Sequence, residues 1–276
     1  MAQISASEVS KLRKTTGAGM MDCKNALQEA EGDFDKAIDI LRKKGQKLAN
    51  KRADREASEG VVLAKTTEDG KKGIILVLNC ETDFVAKNED FIAFADKIAN
   101  KALEETPADL EGLKILTLDS NTIGNIVTEQ VGVIGEKLEL SYFDKIEAES
   151  VTAYIHPGNK LATLVGLNKG GLDAQVGKDV AMQVAAMSPV SVDKDDVPQE
   201  VIDKELEIGK ELALKEGKPE NIVEKIALGK LNKFFKENTL LNQDFIKDSK
   251  TTVKQYLQGI DKELDVTSFK RFTLNI

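Results

Sequence analysis

The run Gly73-Ile-Ile-Leu-Val-Leu-Asn-Cys80 constrains this chain most. A strand with one wet face alternates apolar and polar residues, and five consecutive apolar residues from Ile74 to Leu78 break that alternation. The run is therefore apolar enough to be a central strand. Its first neighbour is Glu59-Gly-Val-Val-Leu-Ala-Lys-Thr66, joined to it through the turn-rich Thr67-Glu-Asp-Gly-Lys71. A helix follows from about Asn88 to Leu103, with Phe91, Ala95, Ile98, Ala99 and Ala102 on one face. Another is expected from Thr122 to Ile134, capped by Ser120 and Asn121, and then a strand over 137–146. The pattern then returns. Residues 149–168 again spell strand, short turn and strand, and Leu-Val-Gly-Leu-Asn at 164–168 echoes Leu-Val-Leu-Asn at 76–79. A helix capped by Asp173 follows this pair too. The spacing predicts an internal duplication and an α+β fold of two related subdomains.

Helical segments precede and interrupt this core. Ser5 and Glu8 have capping-box spacing ahead of a helix that stops at Gly17. A second helix lies between Gly19 and Gly32, and a third opens on Asp33 and closes on Gly45. Val9 and Leu12, Met21, Ala26 and Leu27, and Phe34, Ala37, Ile38 and Leu41 are the expected inner faces. The basic stretch from Lys47 to Arg55 reads as an exposed linker. Within the second copy, 198–236 carries apolar residues at three- and four-residue steps on both sides of Gly217 and Pro219, which gives a helical hairpin with arms of about 25 Å. A short helix capped by Asp248 or Ser249 and a strand over 265–274 complete the chain. The expected domains are 1–55, 56–147, and 148–276 carrying the hairpin.

Charge separates these parts. Residues 1–55 hold 12 Lys/Arg against 8 Asp/Glu, whereas the remainder holds 27 against 39. A basic head on an acidic body argues against nucleic-acid binding by the whole chain, and the absence of tryptophan leaves few platforms for stacked bases. No run approaches the roughly 18 apolar residues of a membrane span, and Met1–Lys14 has no apolar signal region, so a cytoplasmic protein without membrane contact is expected.

Motifs for chemistry are sparse. Cys23 and Cys80 lie outside any ligand or redox spacing and read as small buried groups. The single histidine, His156, sits beside Pro157 in a turn; a Cys80/His156 hydrolase lacks a supporting signature. No phosphate-binding or dinucleotide-binding glycine pattern occurs, and neither a metal site nor a cofactor is expected. The chain reads as one that acts by binding rather than as an enzyme. Its most distinctive stretch is Thr82-Asp-Phe-Val-Ala-Lys-Asn88, where strand gives way to helix. Two readings of Phe84 stand: an inward core residue after a cap at Thr82, or an outward anchor with Asp83 as its polar companion.

Leu12-Arg-Lys-Thr-Thr-Gly-Ala-Gly-Met-Met-Asp-Cys-Lys-Asn-Ala-Leu27, Gly73–Asn88, and Tyr154-Ile-His-Pro-Gly-Asn-Lys-Leu-Ala-Thr-Leu-Val-Gly-Leu-Asn168, in that order, closely resemble bacterial translation elongation factor Ts. The resemblance covers nearly the whole chain. It implies a ubiquitin-associated-like three-helix head, a duplicated α+β core and an antiparallel coiled-coil hairpin. It also implies a guanine nucleotide exchange factor that binds GDP-bound elongation factor Tu, as a heterodimer or a dimer of heterodimers. By that resemblance Phe84 wedges between helices of the partner's GTPase domain, Asp83 perturbs the magnesium region, and Thr82 and Val85 hold the corner. Met20, Met21 and Lys24 match head residues that contact the same GTPase domain. The chain departs from some relatives in ending at Ile276 without a further helical module, and in Gly158-Asn159-Lys160, where a second glycine is frequent. An adaptor working through the head alone is the alternative.

Overall fold

The computed structural model describes residues 4–119 and 121–274. Ser120, expected as a cap, and Ile276 lie outside the described residues. The architecture is α+β.

Three helices open the chain: α1 (Ala6–Thr16), α2 (Met20–Glu29) and α3 (Phe34–Arg52). Ser5 and Glu8 form the expected capping box, and Gly17, at φ 71°, ends α1 in the left-handed conformation. Val9, Leu12, Cys23, Ala26, Leu27 and Ala37 close the small core between them. Two expectations change here. Met21 is 64% exposed, and the inward position on α2 goes to Cys23. The third helix does not stop at Gly45 but runs on to Arg52, so most of the supposed linker is helix. The cause is tertiary. Gly45 crosses Gly132 of a later helix so closely that a Cβ on Gly132 would stand 2.7 Å from the Gly45 Cα, and beyond the crossing Leu48 and Ala49 pack against the neighbouring core. That packing outweighs the helix-breaking tendency of one glycine.

Next come β1 (Glu59–Thr66), β2 (Lys72–Cys80), α4 (Asp83–Ala86), α5 (Glu89–Glu105), α6 (Leu110–Ile115), β3 (Thr117–Leu118), β4 (Asn121–Thr122), α7 (Ile123–Ile134) and β5 (Glu139–Glu147). Thr122, one residue beyond the expected pair, caps α7 by accepting from the Asn125 amide. The second set is β6 (Ser150–Ile155), β7 (Leu161–Leu167), α8 (Ala174–Met187), α9 (Gln199–Lys215), α10 (Glu220–Asn238), β8 (Asp244–Phe245), β9 (Asp248–Thr252), α11 (Val253–Ile260) and β10 (Val266–Thr273). Asp248 and Ser249 belong to a strand rather than a cap; Thr252 and Gln255 form the capping box of α11.

Two three-stranded antiparallel sheets result, ordered β1-β2-β5 and β6-β7-β10, beside the two-stranded pairs β3-β4 and β8-β9. In each, a hairpin receives its third strand beside the second strand of the hairpin, so the connectivity repeats. The sheets face one another across Val62, Ala64, Ile75 and Val77 on one side and Val151, Ala162 and Leu164 on the other. Helices cover the outer faces. Ile74, Leu76 and Leu78 meet Phe91, Ile98 and Val127 beneath α5 and α7, while Val165 and Leu167 meet Val180, Val184 and Leu257 beneath α8 and α11. β2 and β7 are thus buried on both faces, which is why β2 reads as an apolar run and β7 as one interrupted by Thr163, whose hydroxyl is buried and bonded to the Ala181 carbonyl. Each large apolar side chain in these layers contributes about 1.5–3 kcal/mol. Outside the layers, α9 and α10 pack along a seam of Gly209, Ala213, Val223, Ala227 and Leu231. Ile208, Leu212, Leu214, Ile222 and Leu228 stay exposed on this hairpin.

Candidate functional site

The corner after β2 is made by two caps placed six residues apart. Thr82, in extended conformation, accepts the Val85 amide on Oγ1 at 3.4 Å and starts the one-turn helix α4. Asn88 then accepts the amides of Asp90 (2.8 Å) and Phe91 (3.3 Å) and restarts the chain as α5. Each cap satisfies amides that have no partner within their own helix. Between the caps Ala86 is buried and Val85 packs against the first core, so Asp83 and Phe84 take the outer side of the single turn. Phe84 is 83% exposed, the most exposed large apolar residue among the described residues. Of the two readings, the inward core residue is excluded, because the ring faces outward.

Asp83 donates nothing and accepts from Lys87 Nζ at 2.7 Å, and this hydrogen bond holds its carboxyl below the usual range. Behind the corner, Glu81 is only 14% exposed and accepts from Arg52 Nη1 at 2.6 Å, Arg55 Nη1 at 2.9 Å and the Lys137 amide at 2.6 Å. Desolvation alone would raise its pKa; the Lys137 amide and the two guanidinium groups outweigh it and hold the carboxyl at about 2. The end of α3 is in this way bonded directly to the residue before Thr82.

A cleft of about 550 Å³ lies beside Phe84, lined also by Thr82, Val85, Phe91, Val133 and Glu136. A second, of about 310 Å³, lies between the head and α7 and involves Thr16, Asp22, Arg42, Gln130 and Val133. Gln130 and Val133 of α7 belong to both, so one helix separates the corner from the head. Arg42 Nε meets Glu129 at 3.1 Å across this contact, and Lys44 pairs with Asp22 within the head. The structure therefore gathers Thr82, Asp83, Phe84 and Val85 at one corner. Met20, Met21 and Lys24 sit apart, exposed on the outer side of α2 and outside both clefts.

Cys80 is fully buried and donates to the Thr82 carbonyl at 3.2 Å. Burial, with the Glu136 carboxylate adding to it, pushes its thiol up to about 12, the reverse of what a nucleophile needs. His156 is exposed and bonded through Nδ1 to the Tyr154 hydroxyl at 3.0 Å. The hydrolase reading has no geometry to support it. Among the described residues no group of three or more His, Cys, Asp or Glu is arranged to hold a metal ion, and no helix is long and apolar enough to cross a membrane. Sequence reasoning missed Glu81, Arg52, Arg55 and Glu136, which reach the corner from three separated segments and carry no local motif.

Comparison with known proteins agrees with the corner's sequence. The family described as Elongation factor TS matches residues 81–275. Elongation factor Ts of Porphyromonas gingivalis is 53% identical over 269 residues, covering 97% of each chain. That of Christiangramia forsetii is 53% identical over 281 residues, covering 99% of this chain and all of its own. That of Cytophaga hutchinsonii is 49% identical over 278 residues, covering the whole of both. Identity at this level along the entire length, together with a match that begins at Glu81 and takes in the corner, shows that the chain belongs to the elongation factor Ts family.

Proposed function

We propose that this chain is a guanine nucleotide exchange factor of translation elongation, acting in the cytoplasm on GDP-bound elongation factor Tu. The observation that carries the reading is Phe84, 83% exposed on a doubly capped corner of a family member. An aromatic ring held in water by a rigid turn is a surface that gains energy only when a partner covers it. In this reading Phe84 enters the partner's GTPase domain as a wedge, and Asp83 disturbs the magnesium ion and phosphate loop that hold GDP. Thr82 and Val85 keep the turn in shape. Met20, Met21 and Lys24 give the head, a ubiquitin-associated-like domain over 1–55, a second hold on the same domain. The duplicated core, 56–147 and 148–276, spans the partner, and the α9–α10 pair acts as an antiparallel coiled coil projecting from it. The complex is a heterodimer or a dimer of heterodimers.

Linkage requires that whatever factor this chain takes from GDP affinity, GDP takes from the affinity for this chain. Thousandfold faster release needs about 4 kcal/mol of barrier lowering. Burying one phenylalanine supplies about 1.5–3 kcal/mol, so Phe84 carries much of the effect and the other contacts the remainder. The test is stopped-flow release of a fluorescent GDP analogue from elongation factor Tu. Wild type should accelerate release and Phe84→Ala should lose about tenfold or more of that acceleration with its fold intact. Absence of acceleration by wild type would overturn the exchange reading and leave binding through the head.

A further inference from the structure

We propose that Glu136 is the positioning residue that fixes the direction of the Phe84 wedge; its consequence for exchange rests on the function proposed above. Phe84 has almost no packing of its own, so the ring points where the backbone of the corner sends it. That backbone is held from behind by one carboxylate. Glu136 Oε2 accepts the amides of Glu81 and Thr82, each at 3.1 Å, and Oε1 accepts the Thr82 hydroxyl at 2.6 Å. A threonine hydroxyl has one proton. With that proton committed to Glu136, the oxygen presents lone pairs to the Val85 amide, which is the bond that starts α4. Glu136 thereby selects the capping orientation of Thr82 among its rotamers and protonic arrangements.

The hold is reciprocal. The side chain of residue 136 binds the backbone of residues 81 and 82, while the side chain of Glu81 accepts the backbone amide of Lys137 at 2.6 Å. Gly135, left-handed at φ 82°, ends α7 immediately before Glu136 and turns the chain towards the corner. Bonds to an ionised acceptor are the stronger kind, and three converge here on a group that only partly meets solvent. A wedge held in advance loses less freedom on entering its partner. Removing the carboxylate should leave the chain folded and Phe84 present, but let the ring wander.

The experiment has two readouts. In the free protein, amide hydrogen exchange at Glu81, Thr82 and Val85 is compared for wild type, Glu136→Ala and Glu136→Gln, with thermal melts as the control for folding. Glu136→Ala should raise exchange at these amides about tenfold or more, and Glu136→Gln, which can still accept the two amides, far less. Unchanged protection overturns the proposal whatever the partner does. Should the alanine variant not fold, Glu136→Asp, which withdraws the carboxylate by one methylene, takes its place with the same expectation. The second readout is the maximal rate of GDP release at saturating protein. Glu136→Ala should lower it in the wild-type background and change nothing when Phe84 is already alanine, with glutamine restoring most of the loss. A further loss in the Phe84→Ala background overturns the positioning role. If wild type itself does not accelerate release, the exchange reading fails while amide protection still decides whether Glu136 holds the corner.

Discussion

Substituting Gly132 by alanine tests the crossing that joins head to core. A Cβ built on Gly132 stands 2.7 Å from the Gly45 Cα and 3.3 Å from its nitrogen, both backbone atoms that cannot swing aside. Ordinary carbon contacts begin at about 3.5 Å, so α3 and α7 must part by nearly 1 Å along their shared contact. Overpacking of that kind costs about 1–3 kcal/mol. Against it, alanine in a helix interior gains about 1 kcal/mol over glycine, leaving a net loss of up to about 2 kcal/mol. Gly229, inside α10 with nothing within 4 Å of its Cβ position, supplies the reference, because there only the propensity gain applies. For a chain of this size about 2 °C of melting temperature corresponds to 1 kcal/mol. Thermal unfolding followed by circular dichroism should therefore place Gly229→Ala up to about 2 °C above wild type and Gly132→Ala up to about 4 °C below it. If both variants gained stability alike, the two helices would not touch at these glycines, and the crossing would not be what carries α3 past Gly45.

Two further outcomes follow from the ionisable groups at the corner. The Glu81 carboxyl lies at about 2 in the folded chain against 4.5 when free, so the unfolded chain binds its proton first. Its contribution, about 1–2 kcal/mol after solvent screening, is complete above about pH 4.5 and is lost as pH falls towards 2. Denaturation at a series of acid pH values should show a shallower loss for Glu81→Gln than for wild type across that window; identical slopes would remove Glu81 from the account. Cys80, with its thiol pushed up to about 12, and Cys23 are both fully buried. A charged alkylating reagent at neutral pH should label neither until the protein is unfolded, and rapid native labelling of Cys80 would mean the corner is far more open than described.

Much of this architecture is legible in single segments. The strands of both hairpins, α5, α8 and the α9–α10 pair stand where periodicity and caps put them, because local pattern and tertiary need agree there. The failures have tertiary causes. Gly45 looks like a helix end until Gly132, 87 positions away, is seen to require a residue without a side chain. Met21, expected inward with Ala26 and Leu27, lies five and six positions before them and so on another side of α2; Cys23, three and four positions before them, holds the inward place. Short elements such as α6 and the β3–β4 pair carry too few residues to show a period. At the corner, the cap at Thr82 is readable, but spacing cannot say which way Phe84 points; only the inward packing of Val85 and Ala86 decides it.

The doubly buried strands carry a consequence for how such a chain can change over time. Along β2 the even residues belong to the core under α5 and the odd ones to the core shared with the opposite sheet, and β7 divides its residues in the same manner. Neither half can lose its companion without exposing Val62, Ile75 and Val77, or Val151, Ala162 and Leu164, as a flat oily face. Each half is the other's solvent shield, so removing either one unmasks that face, whereas the α9–α10 pair lies outside this layer and a change there leaves it covered.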